Sequence, residues 1–160
     1  MLRAPTPSDL PALLALNNAH ATELGALSGE ALAHLVDISF RTRMTDGADA
    51  FVIALQQGAK YESPNYRWFA ERFTRFAYID RVVVAASARK AGVGRALYYD
   101  LIEAALRAGH DILACEVNVE PPNPASDAFH AALGFQEIGR MRIVERNKTV
   151  RYFVRPLRED

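Results

Sequence analysis

The residues best suited to chemistry lie in two stretches. In the first, Val82-Val83-Val84-Ala85-Ala86-Ser87-Ala88-Arg89-Lys90-Ala91-Gly92-Val93-Gly94-Arg95-Ala96, an apolar β-branched run leads into two basic residues and a Gly-Val-Gly, and a helical pattern follows at once. A strand that ends in a glycine turn and opens a helix presents backbone N–H groups without internal acceptors at the positive end of a helix dipole, which makes a phosphate cradle. Arg89, Lys90 and Arg95 add positive charge at that point. In the second stretch, spacing puts Asn123, Ser126 and His130 along one stripe of a helix, beside an apolar stripe of Ala125, Phe129 and Leu133. Such a helix packs through one face and offers polar groups to a ligand through the next. Asn123 before Pro124 also has the pattern of a helix cap.

The owner of the phosphate is narrowed by what surrounds the glycines. A nucleoside triphosphate loop needs Lys followed by Ser or Thr after its last glycine, and here Arg95-Ala96 stands there. A dinucleotide fingerprint fits Gly92-x-Gly94 and an acidic Glu116 near the end of the next strand, but Leu97 occupies the place of the third glycine. A third reading accounts for more of the chain. Arg89-x-x-Gly92-x-Gly94 after an apolar strand resembles the acetyl-CoA-binding motif of the GNAT superfamily of N-acetyltransferases, and Asn123 to Gly134-Phe135 resembles that family's second signature. The resemblance implies transfer of an acetyl or related acyl group from acetyl-CoA to an amine acceptor, a small molecule or a peptide. It implies direct attack in a ternary complex, with no metal and no covalent enzyme intermediate. Backbone groups of Val82, Val83 and Val84 are then expected to hold the pantetheine arm and thioester carbonyl. The amides of Arg89, Lys90, Ala91, Gly92, Val93, Gly94 and Arg95 are expected to wrap the pyrophosphate, with Asn123 and Ser126 as further cofactor contacts.

The same resemblance distributes the catalytic roles. The family usually has a tyrosine that protonates the departing thiolate, and His130 stands in its place. Imidazole titrates near ~6.5, so His130 is expected to donate as the cation or to relay through water. For the base, Asp80 is expected on the same strand face as Val82 and Val84, with a salt bridge to an arginine as its structural alternative. Glu116 is a second carboxylate candidate, and His20 and Glu23 are candidates for lining the acceptor site. Cys115, in the apolar run Ile112-Leu113-Ala114-Cys115, reads as a small buried hydrophobe rather than a nucleophile. Two readings from other classes stand beside this one. A non-catalytic acyl-CoA-binding or regulatory module is kept open by His130, and a dinucleotide-binding oxidoreductase is disfavoured by Leu97.

The elements that must position these groups follow from periodicity and punctuation. Thr6-Pro7-Ser8-Asp9 starts a helix that runs to about Asn18, and Ser28 caps another carrying Leu32, Leu35 and Val36. Phe40–Thr45 and Ala50–Leu55 read as a hairpin about Asp46-Gly47. Segment 57–75 carries Tyr61, Tyr66, Trp68, Phe69 and Phe73, which suits acceptor recognition, a local core or a homodimer contact. Strand 76–84 is expected to place Phe76, Tyr78, Asp80, Val82 and Val84 on one face. A helix from Val93 to Ala108, buried through Leu97, Leu101, Ala105 and Ala108, leads to strand 112–119. A short helix from Pro124 to Gly134 precedes a closing hairpin about Arg146-Asn147-Lys148. The expected architecture is α/β, of the α+β type: a mixed, mostly antiparallel sheet with one central parallel βαβ pair, flanked by helices, as one domain over residues 1–160. Lys+Arg and Asp+Glu both number 19, so no global field argues for nucleic acid or a membrane surface. A single cysteine, no apolar run near the ~18 residues of a membrane span and no signal-peptide pattern at Met1-Leu2-Arg3 point to a cytoplasmic location.

Overall fold

Phe76–Val84 is apolar almost throughout, and it forms the central strand of a seven-stranded sheet. The computed structural model describes residues 1–158. In chain order the elements are β1 (Leu2–Arg3), α1 (Leu10–Ala19), α2 (Ala21–Leu24), α3 (Gly29–Ile38), β2 (Arg41–Thr45), β3 (Ala50–Gln56), α4 (Pro64–Ala70) and β4 (Phe76–Val84). They continue as α5 (Val93–Arg107), β5 (Ile112–Asn118), α6 (Pro124–Ala132), β6 (Gln136–Ile143) and β7 (Lys148–Pro156). The strand order is β1-β2-β3-β4-β5-β7-β6, and every neighbouring pair is antiparallel except β4–β5, as expected of a mixed sheet with one parallel pair. The helix between those two strands, α5, supplies the crossover and ends at Gly109, whose φ of +80° closes it.

Helices cover both faces. On one, Leu97, Leu101 and Ala105 of α5 pack with Val52, Ala54, Ala77 and Leu113. On the other, Leu13 of α1 and Leu32 and Leu35 of α3 cover Phe51 and Val83, while Tyr66 and Phe69 of α4 cover Phe76, Tyr78 and Tyr152. The aromatic segment is therefore largely a packing device. Its helix was concealed in the sequence by Gly58 and Pro64, although Ser63-Pro64 is a helix start and Tyr66, Phe69 and Phe73 recur at helical spacing. Ala108, expected in the buried stripe of α5, is exposed, because the helix ends before it and the chain turns away at Gly109.

Two irregularities of β4 shape everything downstream. Ile79 pairs with Ala54 and Arg81 with Ile53, so Asp80 is an extra residue in a β-bulge. The bulge reverses the alternation. Phe76 and Tyr78 face α4, while Val82 and Val84 face α5 and α6. The expectation that all five residues share one face with Asp80 is thus corrected, and the inserted residue is the cause. Second, β4 and β5 pair only from Phe76↔Ile112 to Tyr78↔Ala114. Beyond Tyr78, β4 stays with β3 and β5 stays with β7, so the strands splay and leave a gap between them.

Candidate active site

The glycine turn sits at the wide end of this gap. Gly92 is the residue before α5 and has φ +75°, and Lys90 also has positive φ, +107°, an uncommon conformation for a residue with a side chain. The first bond of the helix runs from Ala96 N–H to Gly92 O, 3.0 Å. The amides of Val93, Gly94 and Arg95 therefore leave the helix end without an internal acceptor. A groove of about 790 Å³ runs from this turn along Val82, Val83 and Val84 to Asn123, Ser126 and Phe129. Since β4 pairs with β3 on one side only here, its other backbone edge faces the gap. A Cβ at Gly94 would lie 3.8 Å from Phe129 and 3.9 Å from Val84, ordinary contact, so the glycine leaves space at the groove wall rather than relieving a clash. The structure thus brings the expected strand, turn and α6 residues to one groove, with the exception of Ala91, which does not line it.

A second cleft, about 830 Å³, meets the groove at Val82, Tyr98, Asn123, Ser126 and His130 and continues past Tyr61, Asp80 and Glu116 to Arg146 and Lys148. Glu116 stands on β5 just beyond the last residue paired with β4, on the same face as Ala114. Tyr78 donates its hydroxyl to one carboxylate oxygen at 2.7 Å, and Asn65 of α4 donates its amide to the other at 3.1 Å. Asn65 is fixed in turn by the Tyr152 hydroxyl at 2.7 Å. Burial, reinforced by the charge of Asp80, pushes the Glu116 carboxyl up to about 7, with the bonds from Tyr78 and Asn65 acting in the opposite sense. The support of this carboxylate by a helix of the aromatic segment is what sequence reasoning missed, because residues 65 and 116 carry no local signal of their contact.

Asp80 is the extra residue of the bulge, and both its oxygens are engaged. Tyr61 donates its hydroxyl to one at 2.6 Å, and Arg81 Nε donates to the other at 2.8 Å. Arg81, only 8% exposed, also donates to Asn17 of α1 at 2.9 Å. This is the ion pair that stood as the alternative for Asp80.

His130 is not displayed on a polar stripe. It is 7% exposed and enclosed by the rings of Tyr98, Phe129, Phe135 and Phe153, whereas Ala125, assigned to the apolar stripe, is exposed. The rotation has a simple cause: aromatic rings from α5, α6, β7 and the turn after α6 converge where His130 points. Nδ1 donates to the Ser126 carbonyl at 2.8 Å, since a carbonyl only accepts. Nε2 is then the acceptor of the Tyr98 hydroxyl, also at 2.8 Å. Burial pushes the imidazole below its ordinary pKa, so this geometry favours the neutral ring over the expected cation. Asn123 caps α6 by accepting from Ser126 N–H at 3.1 Å. Cys115 is 3% exposed, and burial pushes its thiol well up, which leaves no nucleophile there. Glu23 lines both cavities, and His20 lines the groove. Among the described residues no His, Cys, Asp and Glu cluster suits a metal ion, and no helix is long and apolar enough to cross a membrane.

Comparison with known proteins places this geometry. No curated protein matches the chain. Among solved structures, the ribosomal-protein-S18-alanine N-acetyltransferase from Escherichia coli is similar over 100% of this chain and 95% of its own, with TM-score 0.74 and 20% identity. Ard1 from Thermoplasma volcanium matches over 99% and 98%, with TM-score 0.76 and 16% identity. The Salmonella typhimurium protein yncA, solved with its cofactor acetyl-CoA, matches over 100% and 95%, with TM-score 0.70 and 17% identity. These likenesses establish the fold. A sequence model described as the acetyltransferase (GNAT) family matches residues 32–135, a span that contains β4 with its glycine turn, Glu116 and the whole of α6, and the chain belongs to that family.

Proposed function

We propose that this acyltransferase is an N-acetyltransferase that moves the acetyl group of acetyl-CoA to an amine, with Glu116 as its base. The observation that carries the proposal is Glu116 itself. A carboxylate brought to about 7 and fixed by two hydrogen bonds stands in a cleft that opens onto a strand-edged, glycine-ended groove. A base poised near the working pH is the most effective kind.

The groove suits acetyl-CoA in its chemistry: free helix amides and Arg89, Lys90 and Arg95 for a pyrophosphate, and an unpaired strand edge for an amide-bearing arm. When bound, acetyl-CoA supplies an activated acyl carbon and a thiolate leaving group. The chain's own residues do the rest. Val82, Val83 and Val84 offer backbone donors and acceptors to the arm and the acyl oxygen. Glu116 takes a proton from the acceptor ammonium or the attacking nitrogen, and Tyr78 and Asn65 hold its carboxylate in one orientation. Asp80 is assigned to positioning, holding the Tyr61 hydroxyl on the cleft wall. His130 acts by holding Tyr98, whose side chain lines both cavities at their junction. We assign Tyr98 as the hydroxyl on the leaving-group side: it turns its proton from His130 Nε2 to the departing thiolate, and solvent returns a proton to the phenolate.

The test is release of free thiol from acetyl-CoA across a panel of amines, paired with thermal shift by CoA, NAD and ATP. Stabilisation by CoA and thiol release that depends on an amine and on Glu116 support the reading. CoA binding with no turnover of any acceptor favours the non-catalytic module, and stabilisation by NAD but not CoA overturns the assignment of the groove. His130→Ala is expected to lower kcat more than it weakens CoA binding. An unchanged kcat removes His130 and its hold on Tyr98 from the mechanism.

A further inference from the structure

The acceptor cleft carries its charge unevenly. Asp80 and Arg81 neutralise each other at 2.8 Å, and Glu23 lies at the end shared with the groove. Arg146 and Lys148, at the far end, are ion-paired with no carboxylate of the described residues. Arg146 lies in the turn between β6 and β7, and Lys148, half-buried, is the first residue of β7. Lys148, Val150 and Tyr152 alternate onto one face of β7, and Tyr152 lies directly opposite Glu116 of β5. Val150 and Tyr152 pack in the same cluster as Ala114 and Tyr78, so this face is the one that carries Glu116. A single row thus leads from the proposed base to the Lys148 backbone, four residues or about 13 Å of strand, part of which a lysine side chain spans on its way back. Burial and the neighbouring Arg146 both disfavour the Lys148 ammonium, while the charge of Glu116 favours it. Two neighbouring cations at the cleft's end, Arg146 exposed and Lys148 half-buried, with no ion-pair partner among the described residues, gain from a ligand that brings an anion to them.

We infer that Arg146 and Lys148 form a carboxylate-binding end of the acceptor cleft, so that the acceptor is an amine carrying a carboxylate several bonds from its nitrogen. The inference rests on the reading of Glu116 as the base, which fixes the other end of the acceptor. The side-chain carboxylate of a free acidic amino acid and that of an acidic residue at a peptide N-terminus share this chemistry. The Arg146 guanidinium suits a carboxylate through two parallel N–H donors, and the Lys148 ammonium adds a point charge.

The experiment compares matched acceptors: glutamate with glutamine, and a tripeptide beginning with Glu with one beginning with Gln. The protein is expected to favour the carboxylate member of a pair by about tenfold or more in kcat/KM, the range of one charge-assisted hydrogen bond. Lys148→Met and Arg146→Gln are each expected to shrink that preference, chiefly by raising KM for the acidic member. CoA titration of each variant reports that the fold and the groove are intact. A preference seen in the free amino-acid pair assigns a small-molecule acceptor, and one confined to the peptide pair assigns a peptide N-terminus. Equal use of both members by the unaltered protein, or a preference untouched in both variants, overturns the inference and leaves acetyl transfer standing. Calorimetry with glutarate, which has no amine, separates the two readings. Saturable binding lost in Lys148→Met supports the carboxylate end even if no amine is ever acetylated, and absence of binding counts against it.

Discussion

Glu116 and Tyr78 allow the mechanism to be tested through a pH profile rather than a simple loss of activity. The Glu116 carboxyl stands at about 7, so its active, ionised form grows in as pH rises through that value and kcat/KM should rise with it. Glu116→Gln is expected to lower the rate by roughly 10²–10⁴-fold and to abolish that limb. Tyr78→Phe is the sharper probe. The Tyr78 hydroxyl donates to the ionised carboxylate at 2.7 Å and so holds its pKa down. A hydrogen bond to a charged group is worth about 1.5–3 kcal/mol, or roughly one to two pKa units. Without it the limb should move up to roughly 8 or beyond, and the ionised fraction at neutral pH should fall from about one half to roughly a tenth. The high-pH plateau should largely survive, because Asn65 still holds the other oxygen. The assay is thiol release at saturating acetyl-CoA over a pH series, with an alkylamine acceptor whose own ammonium titrates near ~10.4. A limb that moves to lower pH in Tyr78→Phe, or a Glu116→Gln rate comparable to the parent, refutes the assignment.

Further outcomes follow from the same geometry. Because the folded protein raises the Glu116 pKa, it binds that proton more tightly than the unfolded chain, so this group's ionisation costs stability as pH rises from about 4 to 7. Melting curves of Glu116→Gln and the parent should therefore diverge in the variant's favour across that window, and a constant gap would contradict the burial of the carboxylate. Gly139→Ala places a Cβ 2.8 Å from the Trp68 ring, which is stacked on Tyr152 at 4.2 Å, and should cost roughly 1–3 kcal/mol in denaturant unfolding, recovered in part by adding Trp68→Phe. Gly92→Val must adopt φ +75° with a β-branched side chain and should lower both melting temperature and CoA affinity. Gly94→Ala should leave the melting temperature nearly unchanged and weaken CoA binding in titration, since its Cβ meets nothing closer than 3.8 Å.

The chemistry of the groove was more legible in the sequence than the chemistry of the cleft. Val82–Val84, the glycines and Asn123 announce themselves because each is defined by neighbours a few residues away: a strand, a turn and a cap. The bulge at Asp80 was hidden because Phe76, Tyr78, Val82 and Val84 still read as a regular alternation, and only the pairing of Ile79 and Arg81 with adjacent residues of β3 reveals the insertion. His130 was misjudged for a related reason. Helical spacing aligns it with Asn123 and Ser126 but does not show which side of α6 turns inward, and Tyr98 and Phe153, which help enclose His130, come from other elements at long separation. Glu116 ranked behind Asp80 because its partners Tyr78 and Asn65 lie 38 and 51 residues away.

The parting of β4 from β5 also bears on how the molecule holds together. The sheet consists of two wings, β1–β4 and β5–β7–β6, stitched directly by only three residue pairs, from Phe76↔Ile112 to Tyr78↔Ala114. A ligand lying along Val82–Val84 and reaching α6 is a second seam between the wings. At a concentration a hundred times its dissociation constant such a ligand adds about 2.7 kcal/mol to folding stability. Amide hydrogen exchange should therefore slow on binding along Val82–Val84 and in β5 beyond Ala114, and much less at the stitched end. The protein's resistance to unfolding, and hence to proteolysis, is tied to the supply of the compound that fills the seam.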